Sequence, residues 1–293
     1  MATDIAGLHW QADPETLEFQ RAVVVVALRG WFDAAGTATR AAEWLVEHGE
    51  PIGLAALDAE EFMDMRAHRP EARLTASGDR WVSWPHVTVK AIRTGGTHDL
   101  LVVQGAEPDY RWRTFTEALI EIARAARAEL VVTLGASPAE VPHTRHQTLA
   151  TSASSAELAR RLGLALPSYQ GVTGVIGVLQ ERLGREGLPG ISIRAGIPPY
   201  LGNGPNPGGT KALLARLGEL LHIDTRADEL GPEITGWIAG LQATMDADPQ
   251  ARATVEHFER RYDRANEATS DPGRLVRDLE RYLRDAGDEP PLD

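Results

Sequence analysis

The 293-residue chain reads as an α/β protein, with a mixed, mostly parallel sheet flanked by helices and a helical appendage at its C-terminal end. Three observations predict this. Short runs rich in Val, Ile and Leu alternate with longer stretches of helical period. Several of those runs are apolar without alternation, as strands covered on both faces are. After about residue 209 the strand-like runs stop, and helical patterns continue almost to the end.

The elements follow in order. "RAVVVVALRG" (21–30) predicts a strand buried on both faces, and "DAAGTATRAAEWLVEH" (33–48) a helix with Asp33 as N-cap and Gly49 just past its end. "PIGLAALD" (51–58) is a second strand. "DRWVSWP" and "VTVKAIRT" predict a hairpin turning at Pro85–His86. "HDLLVVQG" (98–105) and "ELVVTLGA" (129–136) are buried strands joined by the helix "TFTEALIEIARAARA" (114–128), which implies a right-handed parallel crossover. "GISIRAGI" (190–197) is the last clear strand. Helices are expected over 209–222, 227–245, 250–268 and 272–286. Pro232, Pro249 and Pro272 fall near their first turns, and Ser270 or Asp271 supplies a cap. The last two helices are highly charged with narrow apolar stripes. This divides the chain into an α/β domain, 1–245, and a helical hairpin with a short tail, 246–293.

Composition narrows the function. The net charge of −12 argues against a general nucleic-acid binder, whose phosphate contacts need clustered cations. The longest strictly apolar run, Ala22–Leu28, falls far short of the ~20 residues a membrane span needs. The start, "MATDIAGLHW", has no basic region ahead of an apolar core, so no secretory signal is expected. With no cysteine, disulfides, thiolate metal sites and cysteine nucleophiles are excluded. A cytoplasmic protein is expected.

Two motifs invite a chemical reading and weaken on inspection. "GNGPNPGGTK" (202–211) approaches the phosphate loop GxxxxGK[ST], but its last two residues are inverted. Pro205 and Pro207 also remove backbone donors that would cradle phosphate, so a loop ending in a helix cap is expected, with no nucleotide cofactor. His143 and His146 have a spacing that suits two metal ligands on one helical face. Pro142 and "ASPAEV" make the segment a loop, and a third ligand would have to come from elsewhere, so bracing hydrogen bonds are expected and no metal.

Position is more informative. In open parallel sheets, ligands collect outside the carboxyl ends of the strands. Three polar clusters stand at such ends: "GWFDA" with Trp31 and Asp33, "GAEPDYRWR" with Glu107, Arg111 and Arg113, and "SPAEVPHTRH" with His143 and Arg145. Trp31, Asp33, Glu107, Arg111, His143 and Arg145 are therefore the candidate cleft residues. One reading has Asp33, Glu107 and Arg145 facing a shared cleft. The other has Asp33 capping a helix while Glu107 and Arg145 form a salt bridge.

The quoted elements, together with "YQGVTGVIGVL" and "IPPYLGNGPNPGGTKALL", carry a resemblance. In order and content over about residues 21–225, the chain resembles the proteasome assembly chaperone 2 family in its actinobacterial form. Val172 stands where that family usually has proline; Gly171 and Gly174 are kept. The resemblance implies a phosphorylase/hydrolase-like α/β sandwich, no cofactor, protein partners with proteasome subunits among them, and a homo-oligomer, a trimer being favoured. Related chaperones dock on proteasome rings through a C-terminal hydrophobic-Tyr-any residue tail. The sequence here ends "EPPLD" with Leu292 penultimate, so that mode is not expected. The function expected is assembly-chaperone-like protein interaction. The alternative is a hydrolase- or phosphorylase-like enzyme working by acid–base chemistry from Asp33 and Glu107, since Ser137 and Thr144 have no base and orienter to activate them.

Overall fold

The computed structural model describes residues 5–166, 169–266 and 274–287. The fold is organised by the strand Val23–Arg29 (β2), which follows a short edge strand Leu8–Trp10 (β1). Every residue of β2 up to Leu28 is buried. Val23, Val25 and Ala27 enter one apolar cluster, and Val24, Val26 and Leu28 enter another. That division explains the unbroken apolar run. A strand with helices on both sides has no polar face to show.

From β2 the chain turns through a single 3-10 turn, Ala34–Gly36, into helix α1 (Thr37–His48), which ends at Gly49 as expected. Strand β3 (Pro51–Leu57) and a short helix α2 (Ala59–Phe62) follow. The expected hairpin across Pro85–His86 does not form. Instead β5 (Arg80–Ser83) pairs with β4 (Glu71–Leu74) in a separate two-stranded sheet, while β6 (Val87–Ile92) joins the main sheet between β3 and β7 (Leu100–Ala106). The physical reason lies in the turns and the pattern. Thr75–Asp79 closes its own turn, with Gly78 at positive φ and Gly78 N–H donating to the Thr75 carbonyl (3.0 Å). Val87, Val89 and Ala91 alternate as core residues and need two buried neighbours.

Helix α3 (Trp112–Ala125) connects β7 to β8 (Leu130–Pro138). The two strands run parallel, as the crossover requires, with β2 inserted between them. The sequence reading missed β9 (Leu149–Ala153), α4 (Ala156–Arg161) and α5 (Val175–Arg185); β10 (Gly190–Ile197) is as expected. The order across the eight-stranded sheet is β1-β3-β6-β7-β2-β8-β10-β9, and the four adjacent strands β7, β2, β8 and β10 are parallel.

Helix α6 (Pro207–Leu221) packs beside α1 on one face, while α3 and α5 cover the other. Beyond it lie α7 (Gly231–Asp246), α8 (Pro249–Asn266) and α9 (Arg274–Gly287). Helix α8 folds along α7, with Val255 and Phe258 buried; α9 lies against α6 and α4, with Leu279 and Leu283 buried in the α1/α6 cluster. Pro232 and Pro249 occupy first turns. The expected cap at Ser270 or Asp271, Pro272 and the tail "DEPPLD" lie outside the described residues. Among the described residues no helix is long and apolar enough to cross a membrane.

Candidate functional site

The carboxyl ends of β2 and β7 meet at the Glu107 side chain. Glu107 follows β7 directly, and its own N–H donates to the Arg29 carbonyl at the end of β2 (2.8 Å). One carboxylate oxygen accepts the Trp31 backbone N–H (2.8 Å), and the other accepts the N–H of Val175, the first residue of α5 (2.9 Å). A carboxylate at a helix N-terminus is stabilised by the helix dipole as well as by the hydrogen bond. Space at this junction is set by glycines. A Cβ at Gly30 would collide with the Glu107 carboxylate, and one at Gly174 would press on Glu107 and the Trp31 ring. The Trp31 side chain itself stays 67% exposed, while its backbone is held on both sides.

Asp33 is buried. Its carboxylate reaches past the 3-10 turn to accept the N–H groups of Ala38 (2.7 Å) and Thr39 (3.3 Å) and the Thr39 hydroxyl. It thus caps α1, as one half of the second sequence reading expects; the Glu107–Arg145 salt bridge of that same reading does not form. Burial pushes its carboxyl above the ordinary value, opposed by the Thr39 hydroxyl and the two amides. Next to it, the Ala136 N–H donates to the Phe32 carbonyl (2.8 Å), and the Phe32 ring occupies the space a Cβ at Gly135 would need. The turn after β2 is therefore fastened to β8, β7 and α5 together.

The other candidates go elsewhere. Arg111, at positive φ just before α3, pairs with Glu61 next to Phe62 in α2. His143 is buried. The Tyr200 hydroxyl accepts its backbone N–H (2.9 Å) and bonds its ring Nδ1 (2.8 Å), and Tyr200 and Trp237 approach the ring edge to face. Burial lowers the His143 pKa and pushes Tyr200 up to about 12, so both are neutral at neutral pH. Arg145 does not face Glu107. Its guanidinium donates to both Asp263 oxygens (3.0 and 3.1 Å) and to Glu259 (3.2 Å), both on α8, and it holds the Asp263 carboxyl below its ordinary value. The Thr144 hydroxyl also donates to Glu259, and Arg261 pairs with Glu140 (2.6 Å). The three-way cleft of Asp33, Glu107 and Arg145 is thus not assembled, because α8 offers Arg145 two carboxylates that the sequence places more than a hundred residues away.

The loop 139–147 is a seat for α8. His146 is exposed while His143 is buried, so the pair does not converge on one ion; among the described residues, no group of three or more His, Cys, Asp or Glu side chains is arranged to hold a metal. In the phosphate-loop lookalike, Pro207 opens α6 and the Asn206 side chain accepts the Gly209 N–H (3.1 Å). A Cβ at Gly209 would touch Thr37, which shows why α6 and α1 approach closely there. The sequence reading missed Tyr200, Val175, Glu259 and Asp263. Of these only Val175 left a signal, as the start of the apolar helical run after Gly174 in "YQGVTGVIGVL".

The PAC2 family model matches residues 27–245. The chain belongs to the PAC2 family. A PAC2 family protein from Streptomyces avermitilis MA is 36% identical, with a TM-score of 0.74, over 80% of this chain and 99% of that one. A proteasome-assembly chaperone homologue from Mycobacterium tuberculosis is 32% identical, with a TM-score of 0.72 and the same coverage. An archaeal proteasome activator from Pyrococcus furiosus, 14% identical over 80% of this chain and 98% of its own, shares the fold at a TM-score of 0.61. Comparison with curated proteins found no match. The PAC2 segment contains the whole Glu107 junction and the loop that seats α8, while α8 and α9 follow it.

Two predictions follow from the junction and the seat. Glu107→Ala leaves two backbone N–H groups without their acceptor and should cost about 1–3 kcal/mol in denaturant unfolding. Glu107→Gln, which keeps one acceptor oxygen, should cost less; equal losses would mean the paired amides do not carry the effect. The second concerns pH. Burial holds the His143 imidazole below its ordinary pKa of 6.5, so its contribution is complete above 6.5 and is lost as pH falls from there towards the folded value. His98, buried and lowered in the same direction, adds to the same window. Melting temperature should therefore fall as pH drops below about 6.5, and less steeply in His143→Gln than in wild type. Parallel slopes in the two proteins would contradict the assignment.

Proposed function

We propose that this PAC2 protein is a cytoplasmic, homo-oligomeric interaction protein of the assembly-chaperone type, with a trimer favoured and proteasome components among its partners. The observation that carries the reading is the Glu107 junction. An exposed tryptophan, Trp31, is presented on backbone that is clamped at the carboxyl ends of the strands, with exposed Tyr169 and Val172 on the loop leading to Gly174 beside it. Exposed aromatic side chains on a rigid frame are what protein interfaces use as anchors. Asp33 and Glu107, the carboxylates that acid–base chemistry would call on, meanwhile spend their oxygens on α1, Trp31 and α5. The likeness to the M. tuberculosis proteasome-assembly chaperone homologue supports proteasome components as partners. Within this reading the candidate residues divide by role: Trp31 is the contact, Asp33 and Glu107 hold it in place, Arg111 fixes the neighbouring loop, and His143 with Arg145 seats α8.

Affinity capture from native lysate tests the proposal. Wild type should recover proteasome subunits, and Trp31→Asp, altered only at an exposed side chain, should lose them while melting as wild type does. Recovery of an isolated monomer carrying a small metabolite would favour the enzyme reading and overturn this one.

We also propose the division at residue 245, where the family match ends. Residues 1–245 would form the folding unit, and 246–293 an appendage seated on it through Arg145, Leu279 and Leu283. The truncated chain 1–245 should melt cooperatively, at a lower temperature than the whole because buried leucines lose their cover. An insoluble or molten product would place the last helices inside the unit.

A further inference from the structure

Helix α7 carries an apolar stripe that the fold does not pack. Ile234, Trp237, Ile238, Leu241 and Met245 recur at the spacing of one helical face, yet of these only Met245 is buried and the other four are half-buried. The stripe does not lie on the open surface. Its first three residues front a cavity of about 750 Å³, which α7 encloses with α6, the loop 143–147 and Tyr262 of α8. Leu149 of β9 and Ala212 of α6 extend the apolar wall. Packed interiors hold few voids larger than a water molecule, so a gap of this size beside a core-type stripe is space for something else. The volume falls within the range of small-molecule sites.

The charges around the cavity indicate the kind of molecule that fits. Arg145, Lys211 and Arg216 line it, and each already has a carboxylate within the chain. Arg145 pairs with Glu259 and Asp263 (3.2 and 3.0 Å), Lys211 with Asp228 (2.8 Å) and Arg216 with Glu219 (3.4 Å). An ionised ligand would shed its water against a wall of Leu, Ile and Trp and meet cations that are already matched. An uncharged apolar molecule meets no such penalty and gains by covering the stripe. The recess, with Tyr262 across from α7, suits a small molecule better than the flat face of a second protein.

We propose that this cavity is a binding site for one uncharged, apolar small molecule, whose body lies along Ile234, Trp237 and Ile238 opposite Tyr262. The site is distinct from the Trp31 surface and binds without turnover, so the interaction reading above stands or falls independently of it. Because Tyr262 belongs to α8, an occupant touches α6, α7 and α8 together and adds to the seat of α8.

Titration of the full chain with phenylnaphthylamine, a neutral fluorophore that brightens in apolar surroundings, tests this. Fluorescence should rise to saturation at one probe per chain. Ala212→Trp fills the recess from α6, and Ile238→Asn makes its wall polar. Each should weaken probe binding by about tenfold with circular dichroism unchanged. Competition gives a test that needs no variant. Decanol should displace the probe about tenfold better than decanoate, since only decanoate must bury a charge. Displacement by decanoate at least as strong as by decanol would overturn the assignment to a neutral ligand. No rise in fluorescence would overturn the site. So would a rise that both variants retain, because the probe would then sit elsewhere, as on the Trp31 surface.

Discussion

The Glu107 carboxylate has two oxygens, and each is committed to a different part of the fold. One accepts the N–H of Trp31 at the end of β2, and the other accepts the N–H of Val175 at the start of α5. A side chain that leaves β7 therefore joins the central strand of the sheet to a helix on its outer face. The constraint extends further. With Trp31 fixed, Phe32 lies over Gly135 and its carbonyl pairs with Ala136, which places Asp33 to cap α1. Five elements, β2, β7, β8, α1 and α5, thus meet through hydrogen bonds at the carboxyl edge of the sheet.

Such an edge is where α/β folds place their ligand sites, and here the polar groups are used for construction. Exposed around it are three apolar side chains, the Trp31 indole, Tyr169 and Val172, together with charged ones such as Arg29. Polar groups satisfied underneath and aromatic surface above suit the capture of another protein, which needs rigid anchors more than a free base. The neighbouring loop follows the same logic. His143 and Tyr200 form a buried neutral pair, and Arg145 turns outward to α8, so the histidine-rich segment that looks catalytic in sequence is a mounting for α8.

The central strands were legible because their physics is local. Val23–Arg29 and Leu130–Pro138 are covered on both faces, which writes a continuous apolar run into the sequence. β1 and β9 are short and lie at the two sheet edges, and such strands leave no pattern to find. β5 and β6 were both visible as strands, yet their partners were not. Alternation tells which face is buried and says nothing about which strand lies alongside. Asp33 was legible as a cap, since the helical pattern begins just after it, whereas the 3-10 turn its carboxylate spans before α1 was not. Arg145 was visible as a charge awaiting a partner, but Glu259 and Asp263 lie on a helix brought close only by the tertiary fold. Glu107 stood out at a strand end, and what it binds could not be read, because backbone N–H groups carry no sequence signature.

The Glu107 carboxylate fixes the backbone beneath an exposed tryptophan. Native-state hydrogen exchange measures this at the two atoms concerned. The amides of Trp31 and Val175 should exchange slowly, on the scale of the β2 core amides, while the Trp31 indole remains open to a solvent quencher. Exchange of both amides at the rate of an unstructured loop would contradict it.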